Sequence, residues 1–133
     1  MRRSDQRREA AFVIYQQEVT ARPLDELLTD SKPFTRALAE GTFEHLTELD
    51  EIISTHARGW KLDRIAPLEK AIMRVALYEI NHRDDVPTPV AIDEAVSIAG
   101  KYCGAEAPGF VNGILSAASG PREPNDAGAG AAA

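Results

Sequence analysis

Apolar side chains return every third or fourth residue through most of this sequence, the spacing that lines one face of a helix. Ala11, Ile14, Tyr15 and Val19 make one such stripe, and Ser4 stands where a side chain can cap a helix over 4–20. Arg22-Pro23 ends it, because the residue before proline avoids helical backbone. Residues 24–28 suffice for a short second helix. A long helical stretch is expected over 31–56, with Phe34, Leu38, Phe43, Leu46, Leu49, Ile52 and Ile53 inward and Gly41 as the place for a bend.

Gly59-Trp60 opens a connection, and 62–65 is long enough for one turn. Pro67 suits the first position of the next helix. Leu68, Ala71, Ile72, Val75, Ala76, Leu77 and Ile80 make that helix apolar around much of its girth, which marks it as central. Residues 83–87 read as a loop; Thr88 then caps and Pro89 starts a helix carrying Ile92, Ala95, Val96, Ala99 and Tyr102. Gly104 stops it, and a last helix begins at Pro108 or Gly109 with Phe110, Val111, Ile114 and Leu115 inward. No segment alternates convincingly with the period of a strand. The expected fold is all-α, a compact bundle of six to seven helices forming one domain over 1–120. Residues 121–133, mostly Pro, Gly and Ala, are expected to be a disordered tail.

Charge alters this bland picture at one end. The 133 residues hold 15 Lys plus Arg against 21 Asp plus Glu, a net charge of -6. That sum argues against nucleic acid, since phosphates repel an acidic surface. Its distribution argues otherwise: Arg2, Arg3, Arg7 and Arg8 face only Asp5 at the N-terminus. No run reaches the roughly 18 apolar residues of a membrane span, and no leader peptide is read at the start. The single Cys103 excludes an internal disulfide and suits a reducing, cytoplasmic location.

Catalytic chemistry finds no constellation. His45, His56 and His82 are spaced 11 and 26 apart, unlike a metal motif, and read as surface or helix-end residues. Cys103 has no evident base and reads as a structural thiol. Asp93 and Glu94 fall in the first turn of a helix, where negative charge suits the dipole. Gly128 and Gly130 follow no strand and open no helix, so they do not cradle phosphate. No catalytic residue, metal or cofactor is expected.

Two features can carry recognition. Arginine forks onto phosphate and stacks on bases, which suits the N-terminal cluster to single-stranded RNA, although a solvated basic end would look the same. In Phe110-Val111-Asn112-Gly113, an exposed Phe110 could stack and Asn112 could bond a base edge, or Phe110 could be core and Asn112 merely polar.

Longer blocks bear on these alternatives. Trp60-Lys61-Leu62-Asp63-Arg64-Ile65, residues 68–80 from Leu68-Glu69-Lys70 to Tyr78-Glu79-Ile80, Val86-Pro87, Val90-Ala91-Ile92-Asp93-Glu94-Ala95-Val96 and Phe110-Val111-Asn112-Gly113-Ile114-Leu115 together resemble the signature of the NusB family of bacterial transcription antitermination factors. The likeness runs from about Arg3 to Leu115. It implies two small helical bundles and binding to the boxA element of nascent ribosomal RNA. It further implies the partner NusE, a ribosomal small-subunit protein, assembly with NusA, NusG and RNA polymerase, and no catalysed reaction. RNA contacts implied by the resemblance are Arg2, Arg3, Arg7, Arg8, Phe110 and Asn112; a NusE surface is implied at Glu69, Arg74 and Tyr78.

Ser4, Asp5 and Gln6 interrupt the arginine cluster, and Gly109 stands where the family often has a basic residue. Both departures remove positive charge, so the expectation is weak intrinsic RNA affinity and reliance on a partner. Two other readings remain at this stage: the RNA-binding module of a ribosomal RNA cytosine methyltransferase, and a protein-interaction domain without RNA binding.

Overall fold

The computed structural model describes residues 1–119; the expected tail lies outside them. Seven α-helices follow in order, with no strand among the described residues: α1 (Arg3–Thr20), α2 (Leu24–Leu27), α3 (Pro33–Glu44), α4 (Leu46–His56), α5 (Pro67–His82), α6 (Thr88–Tyr102) and α7 (Ala107–Ala118). A single 3-10 turn, Leu62–Arg64, lies between α4 and α5. The all-α bundle is therefore as expected.

Boundaries differ where short-range signals competed. Ser4 lies inside α1, and neither Arg2 nor any other side chain caps that helix. Thr88 likewise lies within α6, whose first turn has no side-chain cap. The α1 terminus is instead closed by Ala21 in left-handed backbone (φ 58°), its N–H donating to the Gln17 carbonyl at 2.9 Å. The stretch over 31–56 is two helices, broken at His45 rather than Gly41. Gly41 has another task. A Cβ there would lie 2.0 Å from Tyr78 Cζ, so only glycine lets the tyrosine ring seat on α3. Phe43, expected inward, is exposed.

α5 is central, as its all-round apolar character requires. It packs against α1, α3, α4, α6 and α7. On one side of it α1 carries α2 and α3; on the other, α7 packs with α6 and α4. Leu28, Leu38, Leu49, Ile53, Ile72, Met73, Leu77 and Leu115 are almost wholly buried in one continuous core. Burying such a side chain stabilises the fold by about 1.5–3 kcal/mol.

Two ion-pair groups tie α1 antiparallel to α5, with Arg7, Glu79, Lys70 and Arg74 buried and Glu18 at the surface. Near the start of α1, Arg7 meets Glu79; near its end, Glu18 meets Lys70 and Arg74. Charges this well enclosed need such partners, since an unpaired one forfeits its hydration.

Candidate nucleic-acid interface

The N-terminal arginines do not act as one cluster. Arg7 Nε lies 3.0 Å from both Glu79 oxygens, Arg7 Nη2 lies 2.7 Å from Glu79 Oε2, and Nη1 reaches Glu94 at 3.4 Å. Burial pushes the Arg7 pKa down, but the hydrogen bonds and charges of Glu79 and Glu94 outweigh it and raise it. Arg7, expected on the RNA face, is thus a structural clamp among α1, α5 and α6. Arg2 and Arg8 sit 3.8 and 3.3 Å from the same carboxylate, Asp5.

Arg3 lies 4.2 Å above the Phe34 ring and 3.3 Å from Asp85. Arg83, unmarked in the sequence, also lies over Phe34, at 5.2 Å, and pairs with Asp85 at 3.2 Å. The Asp85 carboxyl is held below its usual range chiefly by its hydrogen bond from Arg83, with Arg3 adding to it against partial desolvation. Every arginine of the N-terminal group therefore has a carboxylate neighbour.

Unspent positive charge lies elsewhere. Arg58, Lys61 and Arg64 are exposed, and none is in an ion pair among the described residues. Lys61 and Arg64 lie beside Trp60, a large apolar side chain that is 54% exposed, and Arg58 is two residues before it in the chain. The indole meets Phe110 edge to face, with ring centroids 5.9 Å apart. Trp60, Arg64, Glu69, Gly109 and Phe110 line a cleft of about 940 Å³ between the α4–α5 connection and the start of α7. The Leu62–Arg64 turn and Pro67 set its one wall; Ala107 and Pro108 begin the helix that brings up Phe110. Burial raises the Glu69 pKa, and burial together with the nearby Glu69 charge raises that of Cys103. A raised thiol pKa opposes thiolate chemistry.

This arrangement can take a flat, partly apolar group attached to an anion. The exposed indole offers a stacking face, and three cations offer phosphate contacts. In the sequence, Trp60 and Arg64 stand out only as members of a family signature. What their sequence positions could not show was that they lie beside Phe110 and lack counter-ions.

The other expected residues separate. Phe110 is half-buried in the cleft, packed on the core. Asn112 is exposed but does not line that cleft; two residues along a helix is a turn of about 200°, which points it away from Phe110. Asn112 accepts a 3.3 Å hydrogen bond from Ser116. No hydrogen bond, ion pair or ring contact joins Arg2, Arg3, Arg7 or Arg8 to Phe110 or Asn112 among the described residues.

Of the expected partner surface, Arg74 is buried, chelated by Asp50 at 2.7 and 2.9 Å and held by Glu18, so it cannot present its charge to another protein. Glu69 forms part of the cleft wall. Tyr78 is half-buried over Gly41, with His45 and His82 beside its ring. No helix among the described residues is long and apolar enough to cross a membrane.

A helical bundle locked by internal ion pairs, with an aromatic cleft at one end that holds Arg64 beside Glu69 and Glu106, defines a small binding domain. The pattern of the NusB family matches residues 4–119, and the chain belongs to that family. It is similar to the solved structure of T. maritima NusB, with 29% identity and TM-score 0.83 over 95% of this chain and 96% of that one. It is also similar to a structure described as antitermination factors NusB and NusE in complex with dsRNA, with 25% identity, TM-score 0.76 and coverage of 89% and 97%. NusB from Aquifex aeolicus gives 25% identity and TM-score 0.75, with coverage of 95% and 98%.

Proposed function

We propose that this protein is a non-enzymatic transcription antitermination factor. It binds single-stranded boxA RNA of nascent ribosomal RNA together with NusE, and through that complex joins NusA, NusG and RNA polymerase. The observation that carries the RNA reading is the exposed Trp60, set edge-on to Phe110 among Arg58, Lys61 and Arg64, none of which has an internal counter-ion among the described residues. In this reading a base stacks on the indole while those three side chains neutralise phosphates. Arg2, Arg3 and Arg8 contribute at the other end after exchanging Asp5 and Asp85 for phosphate, and Asn112 contacts RNA outside the cleft. That exchange returns little net energy, which makes the NusE partner necessary. Glu69 and Tyr78 face NusE; Arg74 supports that surface from beneath. The solved complex of NusB and NusE with RNA supports this pairing.

The test is titration of fluorescent boxA RNA, with and without NusE, over a range of salt. We expect weak binding alone and tight binding with NusE. The three phosphates neutralised by Arg58, Lys61 and Arg64 by themselves give a log-log salt slope of about -2 for a single strand, and the N-terminal arginines steepen it. NusE binding with no RNA affinity in either condition would establish the other reading, a protein-interaction domain, which the internally paired N-terminal arginines favour.

A further inference from the structure

We propose that His45, Glu48 and His82 form a site for a divalent transition-metal ion of the zinc class. The site lies where the α3–α4 corner meets the last residue of α5, and it is independent of the RNA reading. One donor atom from each side chain lies within 4.8 Å of the other two. His82 Nε2 is 3.0 Å from both Glu48 carboxylate oxygens. Two ligands of a tetrahedral ion bound at ~2.05 Å are ~3.3 Å apart, so this pair is already near its bound spacing. His45 closes the remaining distance by small rotations.

His45 is oriented for the task. Its Nδ1 lies 2.8 Å from the Gly41 carbonyl oxygen. A carbonyl only accepts, so Nδ1 bears the hydrogen and the lone pair of the neutral ring falls on Nε2. A backbone carbonyl on the non-ligating nitrogen is how metal-binding histidines are usually fixed. The His45 and His82 rings lie 4.0 Å apart, and Tyr78 flanks both. The ion takes the place of the direct His82–Glu48 contact.

Two imidazoles and one carboxylate suit zinc, nickel or cobalt rather than magnesium or calcium, which favour all-oxygen shells. Three protein ligands leave a fourth position for water or for a donor from a partner. Glu48 and His82 keep 43% and 30% of their side chains exposed, so an ion can enter without unfolding. Bound there, it staples the α3–α4 corner to the end of α5.

Calorimetric titration of zinc into the full chain tests this, with magnesium as the comparison and cobalt as a spectroscopic probe. The expected result is saturable 1:1 zinc binding, a tetrahedral cobalt spectrum, a higher melting temperature with zinc and no response to magnesium. His82→Gln and Glu48→Gln alter exposed side chains; circular dichroism checks that both fold. Each should weaken zinc binding by at least the roughly 10–100-fold that loss of a mere supporting group costs. Absence of saturable binding by the unaltered chain, or a zinc isotherm unchanged in both variants, overturns the proposal.

Discussion

Arg7 Nη2 on α1 lies 2.7 Å from Glu79 Oε2 on α5, and their side chains are only 8% and 1% exposed. An arginine that sequence places beside three others in a basic patch is thus a buried strut. Removing one partner strands the other's charge away from water, which costs about 3–5 kcal/mol. Arg7→Ala and Glu79→Ala should each lower the unfolding free energy, read from urea titration, by an amount of that order. Arg8→Ala, which breaks only a partly exposed contact to Asp5, should lower it by about 1 kcal/mol or less. Equal, small losses at Arg7 and Arg8 in urea unfolding would contradict the clamp.

For RNA, the contrast runs the other way. Trp60 is exposed, so Trp60→Ala should leave the melting temperature nearly unchanged. Losing one stacked base costs about 1–3 kcal/mol, a fall in boxA affinity of roughly 5- to 150-fold, measured by fluorescence anisotropy with NusE present. Arg64→Glu should weaken binding and flatten its salt dependence by nearly one phosphate. Unchanged affinity in both variants removes the cleft from the RNA site.

Much of the architecture was legible because it depends on short-range pattern. The apolar girth of α5 announced its central place, and prolines at 67 and 89 fell in the first turns of their helices. What pattern cannot show is which charges meet. Arg7 and Glu79 stand 72 residues apart, and Arg74 finds Glu18 at 56. Counting charge along the N-terminus therefore credited RNA with an arginine already taken by the core. Lys61 and Arg64 stood out only as part of a family signature and Arg58 not at all; their value comes from lacking ion-pair partners among the described residues. His45 and His82 read as helix-end residues, and they do stand at helix ends; that the two meet each other and Glu48 is a tertiary fact that no linear spacing records.

Acid should loosen the distal end of the α1–α5 clamp, where Glu18 meets Lys70 and Arg74. Burial raises the Glu18 pKa, but hydrogen bonds and charges from Lys70 and Arg74 overcome this and lower it from 4.5. A depressed folded pKa means that the unfolded chain binds the proton more readily. The stabilisation from Glu18 is therefore complete above pH 4.5 and is lost as pH falls from there through the lower folded value. Urea midpoints measured down through this window should fall steeply in the natural sequence. Glu18→Gln should begin less stable at neutral pH and follow a shallower acid slope. Parallel slopes would assign the acid sensitivity to other carboxylates.

Gly41→Ala offers a test in which helix propensity and packing predict opposite signs. Alanine is the better helix former by about 1 kcal/mol, so an open site in α3 would gain from it. At Gly41 the new Cβ would stand 2.0 Å from Tyr78 Cζ and 2.2 Å from its hydroxyl oxygen. The ring cannot swing aside freely, because His45 and His82 lie against it at 5.7 and 5.4 Å. Overpacking of this kind costs about 1–3 kcal/mol, and the net effect should be destabilising. The double variant Gly41→Ala, Tyr78→Ala removes the clash while retaining the propensity gain. Its stability should exceed that expected from adding the two single losses, a coupling visible in a double-mutant cycle of urea unfolding. Strict additivity would mean that Tyr78 does not require the glycine.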